Sequence, residues 1–169
     1  MDTLRPMNEL TPYQQTMLAA WQQHTYTEFV LKDADAALAT MTEDPYVFAI
    51  PSGTGGSGRA GVREFYADQF LPKIPPDFEL TSLSQTFGND RIVEEFVIRF
   101  THTLDMDWML PGVSATGRKA EFAFVGIIEF QAAKWPASVS IGIRLQCSPS
   151  WESRIIRWWR PELAVRRTS

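Results

Sequence analysis

Residues 92–104 read IVEEFVIRFTHTL, and apolar side chains recur at every second position along most of this stretch. Such alternation is typical of a strand that has one face on a hydrophobic core. The positions that share the buried face are Ile92, Glu94, Phe96, Ile98, Phe100, His102 and Leu104. Residues 121–130, EFAFVGIIEF, repeat the pattern with aromatic side chains on one side. The two stretches predict long strands of one sheet.

Helical patterns precede these strands. Thr11 and Pro12 are suited to begin the first helix, because threonine caps helix ends and proline fits the first turn. The predicted helices cover residues 11–31, 33–41 and 62–70, the strands 46–50, 78–86, 92–104 and 121–130, and a glycine-rich loop 51–58. Helices first and a meander of strands later predict an α+β fold.

The composition limits the class of protein. A length of 169 residues predicts one domain, and 44% hydrophobic with 21% charged residues is ordinary for a globular chain. One cysteine, Cys147, excludes an internal disulfide, and two histidines leave little for a zinc site, so we expect no metal and no cofactor. The N-terminus lacks secretory and transit features and no apolar run is long enough for a bilayer, which predicts a cytoplasmic protein without membrane contact.

Charge divides the chain near residue 131. Residues 1–131 carry 9 basic and 18 acidic side chains, whereas residues 132–169 carry 7 and 2. Four of the 6 tryptophans also lie in this tail, which we treat as an atypical C-terminal segment that completes or flanks the domain over 1–131. Arginines beside Trp158 and Trp159 are typical of nucleic-acid or membrane-surface helices, but the net charge of −4 argues against nucleic-acid binding.

Three motifs carry a family resemblance: RFTHT at 99–103, LPGV at 110–113 and TGRKAEF at 116–122, with Gly58-Arg59 before the third helix. Over residues 10–131 the chain resembles the SnoaL-like polyketide cyclases of the nuclear-transport-factor-2-like superfamily, which are cystatin-like. The resemblance implies a cone-shaped, curved antiparallel or mixed sheet wrapped by three N-terminal helices. It also implies a pocket for a small apolar organic ligand, and a homodimer is the expected assembly.

The resemblance also implies a last strand with a Trp-Asp-like pair, whose aspartate acts as the base. This chain instead reads KWPAS at 134–138, and no acid follows until Glu152. A shifted reading frame can be tested on paper by joining the third base of each codon, from Lys134 onward, to the first two bases of the next codon. With permitted synonymous codons, this frame can encode MASERKYWDQASVLAQLGVAD. That sequence looks like the family's last strand and helix. One hypothesis is therefore a shifted reading frame near residues 131–133. The alternative is that residues 139–147, which alternate acceptably, complete the sheet as they stand.

Three residues are candidates for catalysis. His102 is predicted to point inward, and an imidazole near neutral pH suits proton transfer; the alternative is a core histidine bonded to a neighbour. Asp105 and Asp107 lie beside Trp108 and the LPGV loop. An aspartate held against an indole in a dry pocket becomes a usable base, whereas the alternative is a pair that solvates a turn.

Other residues are candidates for ligand binding. His24 and Glu28 lie four apart on the first helix and, with Trp21, would line the pocket wall, although an ordinary surface pair beside a core tryptophan is the favoured alternative. The full set predicted to bind ligand is Trp21, His24, Tyr26, Tyr46, Glu94, Trp108 and Glu121.

Two functions fit these observations. The first is a cofactor-free acid–base enzyme, an isomerase, cyclase or hydrolase, acting on an apolar oxygenated substrate, with Asp105 or Asp107 in place of the missing aspartate. The second is a module that only binds a ligand or dimerises. The enzyme hypothesis expects His102 within hydrogen-bond reach of a carboxylate inside a pocket.

Overall fold

A computed structural model describes residues 10–50 and 52–131, together with the backbone of 142–147. The predictions for the rest of the chain lie outside the described residues. These include the basic-aromatic helix predicted near Trp158 and most of the segment from Lys134 onward to which the hypothesis of a shifted reading frame applies.

The first helix, α1 (Pro12–Tyr26), begins where its sequence predicts. The Thr11 side chain accepts a hydrogen bond from the Gln14 backbone N–H at 3.2 Å, and the Gln14 side chain accepts one from the Thr11 N–H at 3.0 Å. This reciprocal capping box satisfies two donors that a helix end otherwise leaves unpaired. Pro12 has no N–H and therefore loses nothing in the first turn.

Two wide π-helical turns interrupt the helical layer. The first, π1 (Thr27–Leu31), continues α1, and the second, π2 (Phe65–Phe70), continues α3 (Gly58–Glu64). A hydrogen-bond spacing of five residues brings Phe65 and Phe70 over one another, and their rings stack with centroids 5.8 Å apart. Turns of this kind are rare in proteins, and those that occur often lie at functional sites. Sequence periodicity predicted ordinary helices here.

A short helix, α2 (Ala34–Ala39), lies between these two parts of the layer. The Asp33 carboxylate accepts hydrogen bonds from the N–H groups of Asp35 and Ala36 and so caps it. A 3₁₀ turn over Leu71–Lys73 ends the helical layer. No helix within the described ranges has the length and apolar composition to cross a membrane.

The strands in the described part of the chain form one mixed sheet in the order β2-β1-β6-β5-β4-β3. They are β1 (Tyr46–Ala49), β2 (Thr54–Ser57), β3 (Glu79–Phe87), β4 (Arg91–Thr101), β5 (Lys119–Glu129) and β6 (Gly142–Cys147). β1 and β6 run parallel and the other neighbours antiparallel. The α+β class with a mixed sheet is therefore confirmed.

Two predicted boundaries were wrong. The loop predicted at 51–58 contains β2, which pairs with β1. A Cβ atom on Gly55, at φ +146°, would lie 2.0 Å from the Val47 carbonyl oxygen, so the close pairing requires glycine. The strand predicted to reach residue 104 ends at Thr101, because the Asp77 carboxylate accepts hydrogen bonds from the Thr101 N–H and hydroxyl.

The core lies between one face of the sheet and the helical layer. Even-numbered positions along β4 and β5 point into it, as the alternation of residues 92–104 predicts. Aromatic rings stack across the strands, Phe96 on Phe124 and Phe100 on Phe122. Cross-strand pairs of this kind stabilise a sheet and fix its register.

Candidate functional site

A cavity of about 50 Å³ lies between the sheet and the two π-helical turns. Its wall is almost wholly apolar, and it is bounded by Trp21, Glu28, Phe29, Val47, Ala49, Phe65, Tyr66, Phe70, Phe78, Leu80, Phe96, Ile98, Trp108, Phe124 and Gly126. Five of these residues come from π1 and π2, so the wide turns build one wall of the cavity. Such a pocket suits an apolar small molecule, oriented by the few polar groups present.

Residues at one end of the cavity reach solvent. Phe29 and Phe78 are partly buried and Leu80 is 37% exposed, whereas the other lining residues are buried. The rings of Phe29 and Phe78 stack with centroids 5.3 Å apart and planes 5° from parallel. The opening of the cavity therefore lies between π1 and the start of β3.

A buried polar cluster forms part of the wall. His24 is wholly buried, Glu28 is 2% exposed, and His24 Nε2 lies 3.0 Å from Glu28 Oε1 and 3.1 Å from Tyr66 Oη. The other imidazole nitrogen, Nδ1, lies 2.6 Å from Thr40 Oγ1. Glu28 and Tyr66 both line the cavity, and His24 lies behind them. The favoured expectation of a surface pair for His24 and Glu28 was wrong.

The hydroxyl of Tyr66 stays protonated. Complete burial is the main reason that the pKa of Tyr66 is raised well above its ordinary value of 10.0, and the charge and hydrogen bond of Glu28 raise it further. Tyr66 is therefore a neutral hydrogen-bond donor in a residue that lines the cavity, and its hydroxyl contacts the carboxyl group of Glu28.

A second buried carboxyl group lies close to this cluster. Glu94, 4% exposed, accepts a hydrogen bond from Trp21 Nε1 at 2.6 Å and one from Gln85 Nε2 at 3.0 Å. Trp21 lines the cavity and stacks on His24, with ring centroids 5.8 Å apart. Glu94 itself is not part of the cavity wall, so it holds the Trp21 indole in place from behind.

Trp108 forms the part of the cavity wall that packs against π2. Its indole meets the edge of Phe70 with centroids 4.9 Å apart. Its carbonyl oxygen accepts hydrogen bonds from Ser52 Oγ at 2.6 Å and Thr54 Oγ1 at 2.9 Å, which fix the loop to the β1–β2 hairpin. Trp108 Nε1 is buried and has no hydrogen-bond partner among the described residues. An unpaired buried donor is costly, and a ligand acceptor would satisfy it.

His102 is buried, 3% exposed, but does not line the cavity. Its Nδ1 lies 3.2 Å from Thr116 Oγ1, and within the described ranges its Nε2 has no hydrogen-bond partner. The expected carboxylate beside His102 is absent from that part of the chain. The residue follows the end of β4, where its backbone bonds Arg118 and Thr116 rather than a strand neighbour.

Asp105 and Asp107 are exposed and lie outside the cavity. Asp105 Oδ1 accepts a hydrogen bond from the Ala115 N–H at 2.6 Å, and Asp107 Oδ1 accepts one from the Gly112 N–H at 3.1 Å. These bonds give both carboxylates a role in shaping the loop that carries Trp108. Neither carboxylate lines the cavity beside the Trp108 indole, where the sequence predicted a base.

The remaining predicted ligand-binding residues also lie away from the cavity. Tyr26 is 49% exposed, and Glu121 pairs with Arg99 at 2.6 Å on the outer side of the sheet. Tyr46 donates a hydrogen bond from its hydroxyl to Glu129 Oε2 at 2.6 Å. Of the seven ligand-binding residues that the sequence predicted, the cavity wall includes Trp21 and Trp108.

The set of residues predicted to bind ligand omitted Tyr66, Thr40 and also Glu28, although Glu28 was considered with His24 and Trp21 as a possible part of the pocket wall. The available signal was the spacing of Trp21, His24 and Glu28 along one helix, which brings them to a common side. Tyr66 lies 42 positions after His24, and nothing in the local pattern of either segment indicates their contact.

Comparison with known proteins agrees with the observed fold. The family model of the SnoaL-like domain matches residues 16–136, which is more than two thirds of the chain. The chain belongs to the SnoaL-like family. The match extends five residues beyond the boundary expected at 131. No match was found among the curated proteins.

Solved structures of low sequence identity share the fold. A putative SnoaL-like polyketide cyclase from Jannaschia sp. CCS1 has a TM-score of 0.65 at 16% identity, over 90% of this chain and 99% of that one. A putative polyketide cyclase from Acidithiobacillus ferrooxidans has a TM-score of 0.61 at 15% identity, over 88% and 98%. SalBIII, described as an epoxide hydrolase/cyclase-like enzyme in pyran ring formation, has 0.57 at 12%, over 83% and 96%.

Proposed function

We propose that this SnoaL-like protein is a cofactor-free acid–base enzyme acting on a small apolar molecule that carries an oxygen function. The observation that supports it is Glu28, which lines an almost wholly apolar cavity and whose carboxyl group is hydrogen-bonded to the hydroxyl of Tyr66. A carboxyl group is a good proton carrier, and an apolar site strengthens its electrostatic effect on a bound substrate.

Glu28 is the proposed proton carrier because it alone among the carboxyl groups of the described residues lines the cavity. His24 contacts it from behind at 3.0 Å and exchanges a proton with it without touching the substrate. A proton moved at a carbon next to a carbonyl serves isomerisation, aldol-type cyclisation and elimination alike. The proposal therefore names the chemistry and leaves open which of these reactions follows.

Two neutral donors are available to hold the substrate oxygen. Tyr66 keeps its proton because its pKa is raised by burial and by Glu28, and Trp108 Nε1 has no partner in the described part of the protein. A carbonyl oxygen that bonds either donor develops negative charge as the neighbouring proton leaves. The donors then stabilise that charge more than they stabilise the resting ketone.

The sequence-based candidates remain part of the proposal in a smaller role. His102 has a buried, unpartnered Nε2, which is available to a further acid or acceptor that the described residues do not supply. Asp105 and Asp107, which bond backbone N–H groups, would act by positioning the Trp108 loop.

The second candidate function is ligand binding without catalysis. The apolar wall and the missing family aspartate favour it, since a hydrophobic pocket alone is enough to sequester a small molecule. The two functions differ in one property: the enzyme accelerates proton exchange at a bound ligand, and the module does not.

The test is deuterium incorporation into 2-tetralone, an apolar ketone with acidic protons next to its carbonyl, followed by NMR in heavy water. The wild-type protein is expected to accelerate exchange, and Glu28→Gln is expected to slow it at least about 100-fold. Glu95→Gln is the control, because it alters a carboxyl group on the outer side of β4, where Glu95 accepts a hydrogen bond from Ser84. Equal exchange rates for wild type and Glu28→Gln would contradict the proposal; tight binding without exchange would support the module.

A further inference from the structure

The hydroxyl group of Thr40 determines which nitrogen of His24 carries a proton. Thr40 Oγ1 lies 2.7 Å from the Ala37 carbonyl oxygen and 2.6 Å from His24 Nδ1. A hydroxyl has one hydrogen, and a carbonyl oxygen can only accept, so the Thr40 hydrogen lies toward Ala37. Thr40 Oγ1 must then accept from His24, which places a proton on Nδ1.

This assignment constrains the other side of the ring. Nε2 faces Glu28 Oε1 at 3.0 Å and Tyr66 Oη at 3.1 Å. The Tyr66 hydroxyl has a single proton to donate, and the carboxyl group of Glu28 is one of the acceptors within its reach. If Nε2 and Oε1 were both bare, two acceptor atoms would face each other at 3.0 Å in a buried site. One further proton must therefore lie between His24 and Glu28.

We propose that Thr40 is a positioning residue that keeps this extra proton in the cluster, a role that rests on the proposed function of Glu28. With Nδ1 always protonated, the His24–Glu28 contact is complete only when it holds a proton that either partner carries. Without the Thr40 hydroxyl, a neutral imidazole can place its single proton on Nε2 and satisfy a Glu28 carboxylate directly. The cluster would then hold one proton fewer, and Glu28 would start each cycle as a carboxylate whose negative charge the extra proton no longer offsets.

The groups that surround His24 support the assignment. Within the described residues, the titratable groups in contact with the imidazole are Glu28 from π1 and Tyr66 from π2. Trp21 covers one face of the ring, and Glu94 lies beyond it, bonded to the Trp21 indole. The His24 side chain is wholly buried, so solvent does not supply the missing partner.

Nitrogen-15 NMR of the imidazole rings in the full chain tests the proposal without any substrate. The chain has 2 histidines, so a spectrum of His102→Gln assigns the signals. In wild type, Nδ1 of His24 is expected to be protonated at neutral pH. Thr40→Val, which keeps the shape and removes the hydroxyl, is expected to move the proton from Nδ1 to Nε2. Thr40→Ser, which restores the hydroxyl, is expected to give the wild-type spectrum.

An unprotonated Nδ1 in wild type would overturn the proposal, as would a Thr40→Val spectrum identical to wild type. The wild-type spectrum alone shows whether Nδ1 of His24 carries a proton, so it can overturn the proposal even if a variant fails to fold. In the 2-tetralone assay, Thr40→Val is expected to raise kcat roughly tenfold with little change in KM, because the extra proton no longer competes with the substrate proton for Glu28, and Thr40→Ser is expected to restore the wild-type value. A tautomer switch accompanied by unchanged exchange in Glu28→Gln would retain the role of Thr40 and reject the enzyme.

Discussion

The hydroxyl of Tyr66 links the stability of the fold to the chemistry of the site. Its pKa is raised by burial and by Glu28, so the folded chain keeps this proton above pH 10 while the unfolded chain releases it. The unfolded state then binds fewer protons, and the free energy of unfolding falls as pH rises above about 10. The stabilisation is fully present below that pH.

Tyr66→Phe is therefore expected to flatten this alkaline loss of stability. Denaturant unfolding at about pH 8 and about pH 11 measures it for wild type and variant. Tyr13→Phe, at a position 38% exposed, is the matched control and is expected to keep the wild-type dependence. An alkaline loss that is equally steep in Tyr66→Phe would show that another group carries it.

Trp108 provides a prediction about recognition. Trp108→Phe keeps an aromatic ring against Phe70 and removes the buried N–H that lacks a partner. Binding of 2-tetralone is expected to weaken roughly tenfold, since one hydrogen bond is lost. Binding of tetralin, the same skeleton without the carbonyl, is expected to change little. Calorimetry with both ligands measures the difference, and an equal loss for both would assign Trp108 a packing role only.

At the scale of single residues, part of the site was predictable from the sequence. Trp21 and Trp108 were predicted to bind ligand and do line the cavity. The spacing of His24 and Glu28 was visible, but their burial depends on Tyr66 and Thr40, which come from other elements. Exposure of a helix face is decided by what packs on it, and local spacing does not carry that information.

At the scale of elements, the two π-helical turns position the site. They place Glu28, Phe29 and Tyr66 in the same wall of the cavity. Apolar spacing along the chain predicted both helices and gave no sign of the changed period. The short strand β2 was also missed, because glycines at 55 and 56 disfavour strands on average. They are needed here because Gly55 lies close to the backbone of β1 and Gly56 close to the backbone of α3.

Phe29 in π1 supplies an element-scale prediction. Its ring stacks on Phe78 at the open end of the cavity, so removing it widens the opening. Phe29→Ala is expected to increase the association and dissociation rates of 2-tetralone together, with a smaller change in Kd. Stopped-flow quenching of tryptophan fluorescence measures these rates. Val30→Ala, at a neighbouring position 63% exposed, is the control, and equal rates in the two variants would place the opening elsewhere.

At the scale of the whole molecule, the fold was the most predictable property. Alternation over residues 92–104 and the motifs around Pro111 and Gly117 predicted the sheet and the family, and both are confirmed. The motifs predicted less about the site, because a shared fold does not determine the chemistry of the residues that line its cavity. The homodimer and the cytoplasmic location stay predictions.

The tail carries the last whole-molecule prediction. We expect that one base inserted or deleted near codons 131–133 opens a frame with a Trp-Asp pair, which explains the basic charge and the tryptophans beyond residue 131. Sequencing the coding DNA across residues 128–140 checks it. If neither change opens that frame, residues 132–169 are the protein's own sequence and the acid of the last strand is absent.

The central claim is that the cavity bounded by Glu28, Tyr66 and Trp108 holds the reacting molecule. A crystal structure of the protein with 2-tetralone tests it most directly. The account predicts ligand density in this cavity, with the carbonyl oxygen within hydrogen-bond distance of Tyr66 Oη or Trp108 Nε1 and the adjacent carbon facing Glu28. Density on the outer sheet face, or a cavity filled by protein side chains, would contradict it.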